Sequence, residues 1–105
     1  MLLATTISAN AEFIDGNLLL SRILGTEVDQ VHALGYTIGV ADATINNLWC
    51  PPEQMKAMDV LNLTKAMLIA SPSKRHLSAD VFVVAALKTA YPCTPKVPPT
   101  NSISI

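Results

Sequence analysis

The stretch "VLNLTKAMLIASPSKRHLSADVFVVAALKTAYPC", Val60 to Cys93, holds two apolar helix-like segments split by one short basic turn and closed by a proline and a cysteine. Ser71-Pro72 stops the first segment, because a residue before proline is pushed out of the helical region. Ser78 then offers an N-cap and Asp80 an acidic first-turn residue, so a new helix starts there. Its body, Val81, Phe82, Val83, Val84, Ala85, Ala86 and Leu87, has no polar break. A helix apolar all round is buried all round. A buried β-strand competes for "VFVVAAL", but the cap, the alanines and the continuation through Lys88 favour helix. A central helix of this kind has room for charges only at its ends, which leaves Lys74 and Arg75 to the turn.

Three further helices are read from apolar periodicity. The first starts near Asp15, where Asp15 or Asn17 can cap, and Leu18, Leu19, Ile23 and Leu24 form its stripe before Gly25 stops it. The second follows Thr26 as N-cap, with Glu27 and Asp29 at the positive end of its dipole. Val28, Val31, Leu34, Ile38, Ala41, Ile45 and Leu48 then recur three or four apart as a single-faced stripe. Inside it lies "GYTIG", where Gly35 and Gly39 each cost about 1 kcal/mol relative to alanine. That cost predicts close approach of a neighbouring backbone, internal or from another subunit, with Tyr36 packing between. "NNLWCPP" ends the helix. The third runs from about Glu53 to Ala70, with Met55, Met58, Leu61 and Leu68 on one side and Val60, Leu63 and Met67 beside them. Methionines so spaced read as core filler, with a pliable partner groove as the second reading.

The formal charge is −1, from seven basic and eight acidic residues, so no cationic surface is available for phosphate neutralisation and nucleic acid is excluded as a partner. No apolar run approaches the roughly 20 residues of a spanning helix. Half the residues are nonetheless apolar, and only 14% are charged, so that surface must be buried in a core or an interface. The segment 1–11, "MLLATTISANA", reads as the back end of a secretory signal, with Ala9 and Ala11 as a small-x-small cleavage site and the mature chain beginning near Glu12. Residues 12–93 form the helical domain. Residues 94–105, "TPKVPPTNSISI", carry three prolines without periodicity and read as an extended, mobile tail.

Cys50 and Cys93 are the only cysteines, and an exported chain with an even number most often pairs them. A redox or zinc role is the alternative, but there is no C-x-x-C, and two cysteines with two distant histidines make a weak zinc pattern. Neither a metal nor another cofactor is expected. Catalysis is poorly supplied too. His32 lies beside the apolar stripe, His76 has no carboxylate or serine fixed near it, and no G-x-S-x-G, H-E-x-x-H or phosphate loop occurs. A turnover site centred on His76 is the weakest functional reading. Ser73, Lys74, Arg75 and His76 instead read either as a solvated loop favouring the preceding helix dipole or as a contact surface, where an arginine can pair bidentately with a carboxylate.

The order "DGNLLL", "LGYTIGVADA", "WCPP", a helix and then "SPSKRHLSADVFVVAALKTAYPC" resembles the type VI secretion amidase immunity proteins, the Rap/Tai family, from about Asp15 to Cys93. The resemblance implies an all-α, non-enzymatic periplasmic protein: a small bundle of about four helices stapled by one disulfide, Cys50 to Cys93. It further implies a homodimer that binds a peptidoglycan amidase effector toxin and occludes its active-site cleft, with the turn Ser73–His76 near a toxin-facing or packing position. Family members commonly carry a second cysteine pair; here those places hold residues around Arg22 and Ile23, and Ala33, so the first helix is tethered by packing alone. A different class of function remains beside this one, a small periplasmic module holding an apolar ligand between the methionine-bearing third helix and the fourth.

Overall fold

A computed structural model of the chain describes residues 13–94. Four α-helices succeed one another: α1 (Gly16–Ile23), α2 (Glu27–Thr44), α3 (Ala57–Ile69) and α4 (Ala79–Ala90), with one 3₁₀ turn, Pro72–Lys74, between the last two. Every pair of helices is in contact, and the described residues contain isolated β-bridges but no strand. The fold is the all-α bundle stapled by one disulfide that the sequence predicts. The segment 1–11 read as a secretory signal and residues 95–105 of the expected tail lie outside the described residues.

Local chemistry sets the helix starts. Asp15 Oδ1 accepts from Leu18 N at 2.8 Å and so caps α1. Thr26 Oγ1 accepts from Asp29 N at 3.2 Å while Asp29 Oδ2 accepts from Thr26 N at 3.1 Å, a reciprocal capping box that satisfies two donors at the start of α2. α3 begins at Ala57 rather than at Glu53, because the Asp59 carboxylate accepts from Lys56 N at 2.9 Å and fixes the first turn there. Ser78 occupies the N-cap position of α4, but its hydroxyl donates to the Asp80 carboxylate instead of accepting from the backbone.

The buried faces differ from the predicted stripes in two helices. In α1 the core face is Leu19, Leu20 and Ile23, while Leu18 and Leu24 point outward. In α2 it is Ala33, Thr37 and Ala41, with Leu34 and Ile38 half-buried at its edge. Val28 and Val31 are 64% and 65% exposed, and Ile45 and Leu48 fall in the turn beyond Thr44. The helix is apolar nearly all round, so periodicity alone does not choose a face. Small side chains are selected where three other helices crowd in. Thr37 is fully buried because its hydroxyl donates to Leu34 O at 3.0 Å, and Thr64 of α3 does the same to Val60 O at 2.8 Å. α4 is not buried all round as expected: Ala79, Phe82, Val83, Ala86 and Leu87 form its buried side, while Val84 and Ala85 are half-buried and Val81 is 48% exposed. Of the methionines, Met55 and Met67 pack against the core and Met58 is half exposed.

Gly35 and Gly39 are a correction to the internal reading. Among the described residues a Cβ built on either meets nothing within 4 Å, so none of the other three helices uses the space they leave. Tyr36, between them, is half-buried against the core. Ile23 and Ala33 both belong to the core cluster, so apolar packing holds the α1–α2 corner.

The far end of the bundle closes on Trp49. Asn46 takes the left-handed conformation, φ 64°, and turns the chain back under α2, where Trp49 Nε1 donates to Ala41 O at 3.2 Å and to Thr44 Oγ1 at 3.1 Å. The Trp49 and Tyr91 rings lie 6.5 Å apart, Cys50 N donates to Tyr91 O at 2.9 Å, and Cys50 is bonded to Cys93 across a Cα–Cα distance of 4.8 Å.

Candidate functional site: a clamped basic turn

The turn between α3 and α4 is built by its own backbone. Ser71 Oγ donates to Met67 O at 2.9 Å, Lys74 N to Ser71 O at 3.1 Å and Leu77 N to Lys74 O at 3.0 Å, which winds residues 71–77 tightly. The start of α1 then holds it from outside. Gly16 N donates to Leu77 O and Asn17 N to Arg75 O, both at 2.9 Å, and Ala79 N returns to Ile14 O at 2.9 Å. The first amides of a helix have no partner inside it. Here two of them are satisfied by turn carbonyls, so α1 and the turn cap each other.

Gly16 makes that approach feasible. A Cβ there would lie 2.8 Å from Phe82 Cε2 and 3.0 Å from both Arg75 O and Leu68 Cδ2. The contact is with backbone and core ring, neither of which can swing away.

On this rigid frame Ser73, Lys74 and His76 are exposed and Arg75 is half-buried. The Arg75 Nε is buried without a hydrogen-bond partner among the described residues. Tyr36 reaches the first turn of α4 from α2: burial raises its phenol above the ordinary value, the Asp80 charge adds to this, and a hydrogen bond with the Asp80 backbone opposes it. Gly35 and Gly39 are exposed on the other side of α2, away from this assembly. The disulfide is also remote, since α4, about 18 Å of helix, separates the turn from Cys93.

Two contributors were not legible as site residues. Gly16 and Asn17 read as helix-start residues, and only their position immediately after the Asp15 cap hints that their amides need outside acceptors. Phe13, 85% exposed, precedes the strap formed by Ile14 and Gly16.

The described residues contain no group of three or more His, Cys, Asp or Glu placed to hold a metal ion. None of their helices is long and apolar enough to cross a membrane. Between α3 and α4 runs a groove of about 250 Å³ lined by Leu63, Ala66, Met67, Ala86 and Thr89. Sites that enclose a small molecule hold about 300–1,000 Å³, so this one is shallow for an apolar ligand.

No curated protein matches the chain. The family model described as Rap1a immunity proteins matches residues 17–93, which takes in α1 from its second residue, the Trp49 corner, the basic turn and both cysteines. The chain therefore belongs to the Rap1a immunity protein family, and is an immunity protein for a type VI secretion effector.

Proposed function

We propose that the protein neutralises a peptidoglycan amidase effector in the periplasm by seating the turn Ser73–His76 in the effector's active-site cleft, as a binder with no turnover of its own. The observation that carries the reading is the clamp: three backbone hydrogen bonds from residues 14–17 to residues 75–79 hold a basic, outward turn in one shape before any partner arrives. Preorganisation of this kind removes the ordering cost that a free loop meets on binding. Lys74 and Arg75 then present charge-assisted donors, and the half-buried Arg75 gives the directed one.

The mature chain is exported through the segment 1–11 and acts as a homodimer. Its second copy is seated on the outer face of α2, where Val28, Val31, Gly35 and Gly39 lie exposed and the two glycines meet no neighbour among the described residues. The deciding experiment is a pull-down with the oxidised protein from the periplasm of the source bacterium, followed by a peptidoglycan amidase assay on the captured partner. A hydrolase active alone and silent at equimolar protein supports the reading. Full activity with saturating protein, for every amidase of the same genome, sinks it. A protein that emerges with bound lipid and no hydrolase transfers the function to ligand binding between α3 and α4.

A further inference from the structure

Phe13 is the most exposed large apolar side chain of the described residues, at 85%, yet the backbone next to it is tied down. Ile14 packs against the core and its carbonyl accepts from Ala79 N at 2.9 Å, while Asp15 forms an antiparallel bridge with Ser78. A ring left in water beside ordered backbone forgoes the burial that favours folding. We propose that Phe13 is the apolar anchor of the surface that meets the effector, and that the matching feature of the effector is an apolar pocket with a carboxylate at its edge. The inference rests on the immunity reading.

Continuity with the basic turn is the first argument. The bonds that fix the strap beside Phe13 also fix the turn: Ala79 N to Ile14 O, Gly16 N to Leu77 O and Asn17 N to Arg75 O, all at 2.9 Å. Strap and turn therefore reach a partner as one unit, and engaging the second after the first adds little ordering cost. Leu77 and Val81, both exposed, continue the apolar surface from the turn onto the start of α4. Charge is the second argument. The clamped segments 13–17 and 73–81 carry Asp15, Lys74, Arg75, His76 and Asp80. Both carboxylates have partners inside the chain, since Asp15 Oδ1 accepts from Leu18 N at 2.8 Å and Asp80 accepts from the Ser78 hydroxyl. Lys74 is exposed and Arg75 half-buried, so this end of the bundle offers a partner an aromatic ring beside outward positive charge, which a carboxylate complements. The third argument is composition. An aromatic side chain that fills a pocket, with basic and polar groups around it, is the arrangement that carries most of the energy of a protein interface.

The test measures association and dissociation of Phe13→Ser, Phe13→Leu and Lys74→Ala against the peptidoglycan hydrolase captured by the parent protein, with urea unfolding of each variant. Phe13→Ser should keep the parent's urea midpoint, because the ring is already in water, and lose at least tenfold in affinity through faster dissociation. Phe13→Leu should recover most of that loss. Lys74→Ala should instead slow association and flatten its salt dependence. A Phe13→Ser protein that binds as the parent does overturns the anchor, and a weakened Lys74→Ala beside it leaves the turn reading standing alone. Loss of affinity in Phe13→Ser with Lys74→Ala unchanged keeps the anchor and moves the contact off the turn. A urea midpoint lowered by Phe13→Ser makes the ring a packing residue and overturns the proposal. Sedimentation equilibrium of the protein alone covers the other occupant: association weakened by Phe13→Ser assigns the ring to a second copy and overturns it as well. A parent protein that inhibits no hydrolase removes the immunity reading, and the anchor falls with it.

Discussion

The α-carbon of Gly16 sits against the Phe82 ring so closely that a methyl group placed on it would be 2.8 Å from Cε2. Gly16 is the first residue of α1 and Phe82 is in the core of α4, so this contact couples the clamp on the basic turn to the packing of the bundle. Gly16→Ala gains helix propensity but forces a shift of ring or backbone, and overpacking of this type costs about 1–3 kcal/mol. Urea unfolding should show that loss. Effector inhibition should fall further than stability alone explains, because the displaced atom next in line is the Arg75 carbonyl at 3.0 Å. A variant as stable as the parent would remove the close approach from the account.

Arg75 separates folding from recognition. Its Nε is buried with no acceptor among the described residues, and its backbone, not its side chain, makes the bond to Asn17. Arg75→Met keeps much of the volume and removes a desolvated donor, so stability should change by less than about 1 kcal/mol and can rise. Affinity for the effector should drop by a factor of ten or more if the guanidinium pairs with a carboxylate there, as truncation of a buried charged anchor costs about 2 kcal/mol or more. Titration calorimetry and a denaturation curve on the same sample measure both. Equal affinity with the parent would reduce the arginine to a packing residue.

The capping box of α2 gives a pH dependence of known sign. The Thr26 backbone N–H, then the Thr26 hydroxyl, hold the Asp29 carboxyl below its ordinary value of 3.8. A carboxyl whose folded value is depressed stabilises the fold fully above its unfolded value and loses that contribution as pH falls through the folded one. Stability should therefore decline as pH falls from near 3.8 through the lower folded value, less steeply in Asp29→Asn than in the parent. Thr26→Ala, which removes the acceptor for Asp29 N, should cost about 1 kcal/mol at neutral pH. Carboxyl chemical shifts followed through acid pH would report Asp29 directly, and a value at or above 3.8 would dismiss the argument.

Four helices, the cap of α2 at Thr26, the pairing of the two cysteines and the place of the basic turn were readable in the sequence, which left Asp15 and Asn17 as alternatives for the cap of α1. The facing of α2 was not. Val28 and Val31 look more buriable than Ala33 and Thr37, and only the crowding of three neighbours reverses that order. Periodicity reports which residues share a face; it does not report which face has room. The clamp escaped for a similar reason, since the bonds from Gly16 and Asn17 to Leu77 and Arg75 join backbone groups some sixty positions apart, and no side chain advertises them.

The disulfide should matter for stability more than for recognition. It joins residues 43 positions apart, and the chain-entropy model assigns such a loop on the order of 4 kcal/mol. Cys50→Ala with Cys93→Ala should shift the urea midpoint accordingly and loosen the Trp49–Tyr91 corner, visible as a change in the emission of the only tryptophan. The turn lies beyond α4 and is held by α1, so below the unfolding transition the variant should still bind the effector with affinity within a few-fold of the parent. A complete loss of binding by folded variant would show that the two ends of α4 are coupled.

Gly35 and Gly39 yield two opposed effects from one substitution. In the single chain nothing lies within 4 Å of a Cβ at either position, and neither glycine has a positive φ. Replacing both by alanine should stabilise the monomer by roughly 0.5–1 kcal/mol at each site, by helix propensity and reduced freedom of the unfolded chain. If a second copy packs on this face, the same methyl groups intrude where two backbones come close, and dimer dissociation should become easier. Sedimentation equilibrium with thermal unfolding at low and high concentration separates the effects. A variant that is more stable at every concentration and equally dimeric would move the interface off α2, and a weaker dimer of a more stable monomer would place it there.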